Sequence, residues 1–234
     1  MGAMQKVHSE IASDLNKHFS LQKVQLKYPF PVRPRRTLGL VKLDGEVFST
    51  DRLQRVVCMR ITLPVYMKVY STFIRSRIEY DLPAFLCEVV YTGSKLLVVL
   101  DVHRTGDVAE LAKDKAFFDG LMDIRSRYDD LLRFQKQAKG SVANLVQSRA
   151  TCRLSPTAEH EERALALVKE YLDAFAKYVV QSQALSGKEL ESVKSDFERY
   201  LQSVVEHDPG VKGNKVLFGK KEGIERAMEI FYGI

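Results

Sequence analysis

"DLPAFLCEVVYTGSKLLVVLDV", residues 81–102, sets the architecture of the chain. Residues 84–91 and 95–101 are rich in β-branched and other apolar side chains, and they flank Thr92-Gly93-Ser94. They read as two antiparallel strands around a short turn. Side chains alternate along a strand, so Ala84, Leu86, Glu88 and Val90 share one face and Phe85, Cys87, Val89 and Tyr91 the other. Both faces are apolar, as expected of a strand covered on each side. Glu88 is out of place in such a strand. Either it pairs with an arginine of a neighbouring strand, such as Arg60 or Arg75, or burial raises its pKa and makes it a proton donor facing a substrate.

The flanking sequence extends the sheet. "LQRVVCMRITL" (53–63) and "YMKVYSTFIRS" (66–76) read as further strands, and Asp44-Gly45 within "TLGLVKLDGEVFST" (37–50) predicts a hairpin turn. "SVANLVQSRATCRL" (141–154) returns to strand character. Helices are predicted from Gln5 to about Phe19, where apolar residues recur every fourth position, and from Lys113 to Lys136. Another starts at Ser155-Pro156, with serine as cap and proline in the first turn. A further one starts at Ser186, with Glu189 completing a capping box. "EHDPGVKGNKVLFG" (206–219) reads as a loop, and Ile224 to Phe231 as a short last helix. Strands crowd the first half and helices the second, which predicts an α+β fold with an antiparallel sheet. One domain is expected over residues 1–234, with residues 1–4 an expression scar and start.

Composition narrows the function. The 234 residues are 45% hydrophobic and 28% charged, ordinary for a globular chain, and no apolar run approaches membrane-span length. Cys58, Cys87 and Cys152 are widely spaced among apolar neighbours and read as buried free thiols, so a reducing compartment is expected. The cytoplasm fits, as does the plastid stroma if a transit peptide has been removed. The histidines form no metal-ligand spacing, and no metal site is expected. Nucleotide fingerprints and a nucleophile elbow are absent. Lys and Arg exceed Asp and Glu by 36 to 30 and concentrate in "PVRPRR" (31–36) and "GVKGNKVLFGKK" (210–221). Such patches suit an acidic partner. A basic nucleic-acid-binding domain rests on that charge alone, without a recognition motif, and no nucleic acid partner is expected.

Longer stretches carry a resemblance. "VYSTFIRSRIEYDLPAFLCEVV" (69–90), followed by a strand ending in Asp101, resembles the central hairpin of ferredoxin-dependent bilin reductases. "RLSPTAEHEERALALVKEYLDAF" (153–175), "SDFERYLQSVVEHDPG" (195–210) and "LFGKKEGIERAMEIFYGI" (217–234) follow the family's C-terminal order. The likeness covers roughly residues 50–234. It implies a three-layer α/β/α sandwich with a central antiparallel sheet, and a linear tetrapyrrole held between sheet and C-terminal helices. Electrons come singly from ferredoxin, with no tightly bound cofactor. Protein carboxylates supply protons, and the family's two acid positions fall on Glu88 and Asp208. The family usually has Asp at the first and often His or Asn seventeen residues upstream; here stand Glu88 and Ser71. That combination is closer to the red chlorophyll catabolite reductase branch. The extra methylene of Glu moves the acid by about 1.5 Å, enough to reach a different carbon.

On this reading Ser71 and His207 adjoin the pigment, and Arg149 and Arg153 grip its propionates. Lys212, Lys215, Lys220 and Lys221 form a basic rim for docking acidic ferredoxin. The protein is expected to be a monomer or homodimer. A tetrapyrrole carrier without turnover is the alternative within the same fold.

Overall fold

The computed structural model of the chain describes residues 2–64, 67–104, 110–138 and 147–234. Among these residues seven antiparallel strands form one sheet in sequence order: β1 Gln22–Lys23, β2 Lys42–Ser49, β3 Leu53–Leu63, β4 Met67–Ser76, β5 Ala84–Thr92, β6 Lys95–His103 and β7 Cys152–Leu154. Gly93, at φ 59°, supplies the left-handed backbone that turns β5 into β6. Helices α1 Val7–Leu15, α2 Lys115–Ser126, α3 Asp129–Leu132 and α4 Glu161–Gln181 cover one face of the sheet. Helices α5 Gly187–His207, α6 Pro209–Phe218 and α7 Lys220–Ala227, with a π turn at Met228–Tyr232, cover the other. The result is a three-layer α/β/α sandwich. Among the described residues no helix is long and apolar enough to cross a membrane.

The α4 face is the drier one. Val7, Ile11 and Leu15 of α1, Phe118 and Leu121 of α2, and Val168, Leu172 and Phe175 of α4 close over Phe85, Val98 and Leu100. At ~25 cal/mol per Å² of apolar surface, this burial dominates the stability of the sandwich. The three cysteines lie in a single row across this face, with register Cys58–Thr72–Cys87–Leu100–Cys152. A strand intervenes between each pair, so at about 4.8 Å per strand their Cα atoms are too far apart for a disulfide. All three are buried free thiols, and burial pushes the Cys58 thiol up to about 12.

A buried charge cluster ties the β5–β6 hairpin to the helices behind it. Arg104, just after β6, donates to Asp81, just before β5, at 2.6 Å and to Asp114 at 2.6 Å. Tyr178 of α4 completes the site by donating to Asp114 at 2.6 Å. Asp114 is fully buried, so its charge depends on these partners.

Several local expectations are corrected. Asp44-Gly45 lies inside β2, where a β-carbon on Gly45 would stand 2.5 Å from the Cys58 carbonyl. The glycine serves close strand approach, and the hairpin turns instead at Thr50, whose Oγ1 accepts from the Arg52 and Leu53 amides. The first helix is shorter than predicted, a 3₁₀ turn at Ala3–Lys6 running into α1. The helix expected over 113–136 breaks into α2 and α3. Ser155 does not cap: it donates to the Leu96 carbonyl at 2.9 Å, and α4 starts at Glu161. Ser186 sits at the N-cap of α5 without a side-chain bond. The predicted 206–219 loop is mostly helix α6, and the last helix is α7, starting at Lys220. Of the strand expected over 141–154, residues 141–146 lie outside the described residues and only Cys152–Leu154 pairs.

Candidate active site

The face turned toward α5–α7 is built differently. Across the strands, Met59, Ser71, Glu88, Val99 and Arg153 stand in one row. Around Glu88 the residues on this face, Leu86, Val90, Leu97 and Val99, are only half-buried, whereas Phe85, Cys87, Val89 and Val98 behind them are fully buried. The apolar stripe of α5 opposite repeats the pattern: Leu190, Val193, Phe197 and Leu201 are half-buried and only Val204 is fully covered. Helix α5 rests mainly on α6 and on the 3₁₀ turn at Ile78–Tyr80 rather than on the strands. Two apolar surfaces that face each other without closing define a cleft, with Glu88 on its floor.

Among the described residues Glu88 has no cationic clasp, and its one side-chain hydrogen bond there comes from Ser71 Oγ, 3.4 Å from Oε1. Arg60 is committed to Asp44 at 2.8 Å. Arg75 shares the face of Glu88 but lies over the Phe197 ring, 3.8 Å from its centre, and donates to the Tyr232 carbonyl at 3.5 Å. Burial first, and the negative charge of Asp208 second, raise the Glu88 pKa; Ser71 and Arg153 oppose the rise.

Asp208 comes from the opposite layer. It is the N-cap of α6, with Oδ1 accepting from the Val211 amide at 2.9 Å. Burial raises its pKa too, against the Val211 and Gly210 amides, His103 and Lys212. Two carboxyl groups that each feel the cleft as a poor place for charge can hold protons where exposed carboxylates have lost theirs.

Five further residues join this set without having been singled out as site residues from sequence. Asp101 is buried and accepts from Ser148 Oγ at 2.6 Å. His103, two residues along β6, places Nδ1 3.3 Å from Asp101 Oδ2 without the alignment of a hydrogen bond. Tyr200 of α5 and Tyr232 meet at 3.3 Å between hydroxyls, and burial pushes Tyr200 up to about 12 and Tyr232 up as well. Arg75, with its pKa lowered to about 10 by burial, backs this aromatic corner. Strand parity could have found Asp101 and His103, since both share the face of Val99, the partner of Glu88.

The other predicted residues divide. Arg153 stands in the Glu88 row and acts on its charge. Arg149 is turned away, bonded to Glu110 at 3.0 Å and Asp119 at 2.7 Å beside α2. His207 is exposed at the end of α5, with Glu206 as its nearest carboxylate at 3.6 Å. Lys212, Lys220 and Lys221 are exposed, whereas Lys215 donates to the Val205 carbonyl. A groove of about 540 Å³ lies in the opposite layer between α1, α2 and α4. Its charges, such as His18 with Asp173 and Lys169 with Asp14, pair among themselves, so it stands apart from this chemistry.

The sequence model of the ferredoxin-dependent bilin reductases matches residues 8–228. The crystal structure of phytochromobilin synthase from tomato, in complex with biliverdin, superposes with a TM-score of 0.77 at 18% identity, covering 98% of this chain and 82% of that one. The structure of PcyX superposes with a TM-score of 0.51 at 10% identity, covering 96% and 94%. At these identities the two structures speak for the fold alone. No curated protein matches the sequence.

Proposed function

The chain belongs to the ferredoxin-dependent bilin reductases, oxidoreductases of linear tetrapyrroles, and from that premise we propose that Glu88 and Asp208 are its two proton donors. The pigment lies in the cleft between the sheet and α5–α7. Reducing one of its double bonds takes two electrons, delivered singly by two reduced ferredoxins, and two protons. The first electron gives a pigment radical, which takes a proton from the acid nearest the reacting carbon; the second electron and proton complete the reduction. The observation that carries this reading is the opposition of two half-buried carboxyl groups from different layers, both with raised pKa and neither in an ion pair among the described residues.

The remaining groups take supporting roles. Ser71 orients Glu88 through its hydroxyl. Arg153, at the end of the same row, meets a pigment propionate. His103, between Asp101 and Asp208, recharges Asp208 from solvent after each turnover. Tyr200 and Tyr232 bound the pigment edge. Glu88 opposite Ser71 favours red chlorophyll catabolite, with biliverdin as the other candidate substrate.

Anaerobic mixing with either pigment tests the proposal. Biliverdin or red chlorophyll catabolite should bind with a shifted visible spectrum. Reduced ferredoxin should then abolish or blue-shift the long-wavelength band. A band that shifts on binding and then persists under reductant identifies a carrier and refutes turnover.

A further inference from the structure

Two stretches far apart in sequence, 28–43 and 209–221, contain no Asp or Glu. They hold Arg33, Arg35, Arg36 and Lys42 in the first, and Lys212, Lys215, Lys220 and Lys221 in the second. The fold brings them together. The 3₁₀ turn Arg35–Thr37 packs on α6, and the Arg36 guanidinium comes within 3.0 Å of the point a β-carbon on Gly219 would occupy. Lys42 is held by Asp44 and Lys215 by a backbone carbonyl. The guanidinium of Arg33 reaches the Gly39 carbonyl, but no carboxylate pairs with Arg33, Arg35, Arg36, Lys212 or Lys220 among the described residues.

Three large apolar side chains stand out of this basic field. Leu38 is 89% exposed, Leu40 60% and Val216 73%. Leu38 is also held at φ 52°, in the left-handed region that disfavours a residue with a β-carbon. Isolated exposed leucines need no explanation, but a strained backbone that keeps one in water beside two more apolar side chains does. Apolar knobs inside a charged rim are the anatomy of a protein docking site, the rim steering the encounter and the centre setting the lifetime.

We propose that Leu38, Leu40 and Val216, ringed by Arg33, Arg35, Arg36, Lys212 and Lys220, form the seat of the electron donor, an acidic ferredoxin. The assignment rests on the functional reading above. Two observations favour this occupant over a membrane, a nucleic acid or a second copy of the chain. The two stretches that supply the rim contain no carboxylate of their own, which suits an acidic protein surface. The patch is also attached to the cleft: α6 begins at the cap Asp208 and reaches Val216 eight residues later, about 12 Å at the helical rise. A carrier seated there releases its electron beside the pigment.

The test compares the wild-type protein with the double variant Leu38→Ser/Val216→Ser and the charge variant Arg35→Glu/Arg36→Glu. Ferredoxin binding is measured by calorimetry over a salt series, and biliverdin binding by absorbance. Both variants should bind biliverdin as the wild type does. The double variant should weaken ferredoxin binding about tenfold or more with the salt dependence retained, and the charge variant should flatten that dependence. Ferredoxin affinity unchanged in both variants would overturn the proposal. So would loss, in the variants alone, of binding to anionic vesicles, of RNA binding or of self-association while ferredoxin affinity holds. Should wild-type protein bind ferredoxin at this face yet fail to reduce pigment, the functional reading falls and the docking assignment stands.

Discussion

Replacing Glu88 by Gln separates its chemistry from its packing. The side chain keeps its length and can still accept from Ser71, and that bond is long at 3.4 Å, so little binding energy depends on it. Pigment affinity should therefore change by less than about threefold, well under the 1.4 kcal/mol of a tenfold effect. Proton donation is lost outright. A positioned general acid contributes ~10²–10⁴-fold, or roughly 3–5.5 kcal/mol at the barrier. Anaerobic stopped-flow absorbance with reduced ferredoxin should show normal binding, a rate reduced on that scale and a persistent one-electron pigment signal by electron paramagnetic resonance. The same variant has a signature in stability. Burial raises the folded-state pKa of Glu88 above the 4.5 of an ordinary glutamate. The folded protein thus binds the proton more tightly, and this contribution is full below the ordinary value and fades as pH rises through the folded one. The amide introduced by Glu88→Gln does not titrate, so the variant should match wild type near pH 4 and melt higher at pH 8, each kcal/mol being worth ~2–4 °C. Turnover within tenfold of wild type, or a lower melting temperature at pH 8, would refute the assignment.

Three other outcomes follow from the geometry. Asp208→Asn keeps a good N-cap on α6, so its melting temperature should match wild type in acid and rise at pH 8, where wild type holds a charge that burial disfavours, while turnover drops ~10²–10⁴-fold; Asp208→Ala should lose ~1 kcal/mol of stability relative to Asp208→Asn with the cap, read by denaturant titration. His103→Gln should leave the first turnover intact and slow the steady state about tenfold or more, since only recharging of Asp208 is affected; equal slowing of both would assign His103 elsewhere. Asp114→Ala removes one of the two carboxylates on the buried Arg104, together with the acceptor of Tyr178, and should cost ~3–5 kcal/mol by chemical denaturation, whereas Arg149→Ala, on exposed ion pairs, should cost under ~1 kcal/mol and leave pigment affinity unchanged.

The hairpin carrying Glu88 was legible because β-branched residues alternate around a glycine that only a turn explains. The apolar stripes of α4 and α5 were equally plain. Helix α6 was not, because Pro209, Gly210 and Gly213 read as loop residues. It forms because Asp208 caps it, and because it packs on α7 at Gly223, where a β-carbon would stand 2.5 Å from the Asn214 backbone. Local propensity cannot foresee a partner that close. Arg149 and Arg153 looked equivalent in sequence, yet only the second lies on a paired strand whose register turns it toward the cleft. Asp101 and His103 needed the strand partner of Glu88, a two-dimensional fact that a linear reading passes over.

Asp208 holds the first turn of α6 with the same carboxyl group that we propose as a proton donor. An ionised carboxylate accepts amide hydrogen bonds more strongly than a neutral acid and is favoured at the positive end of a helix. In the proposed mechanism, loss of its proton to the substrate would clamp the helix start more firmly, and reloading would relax it. The protonation state of one side chain is thereby written into the stiffness of a whole backbone segment, where amide hydrogen exchange can read it.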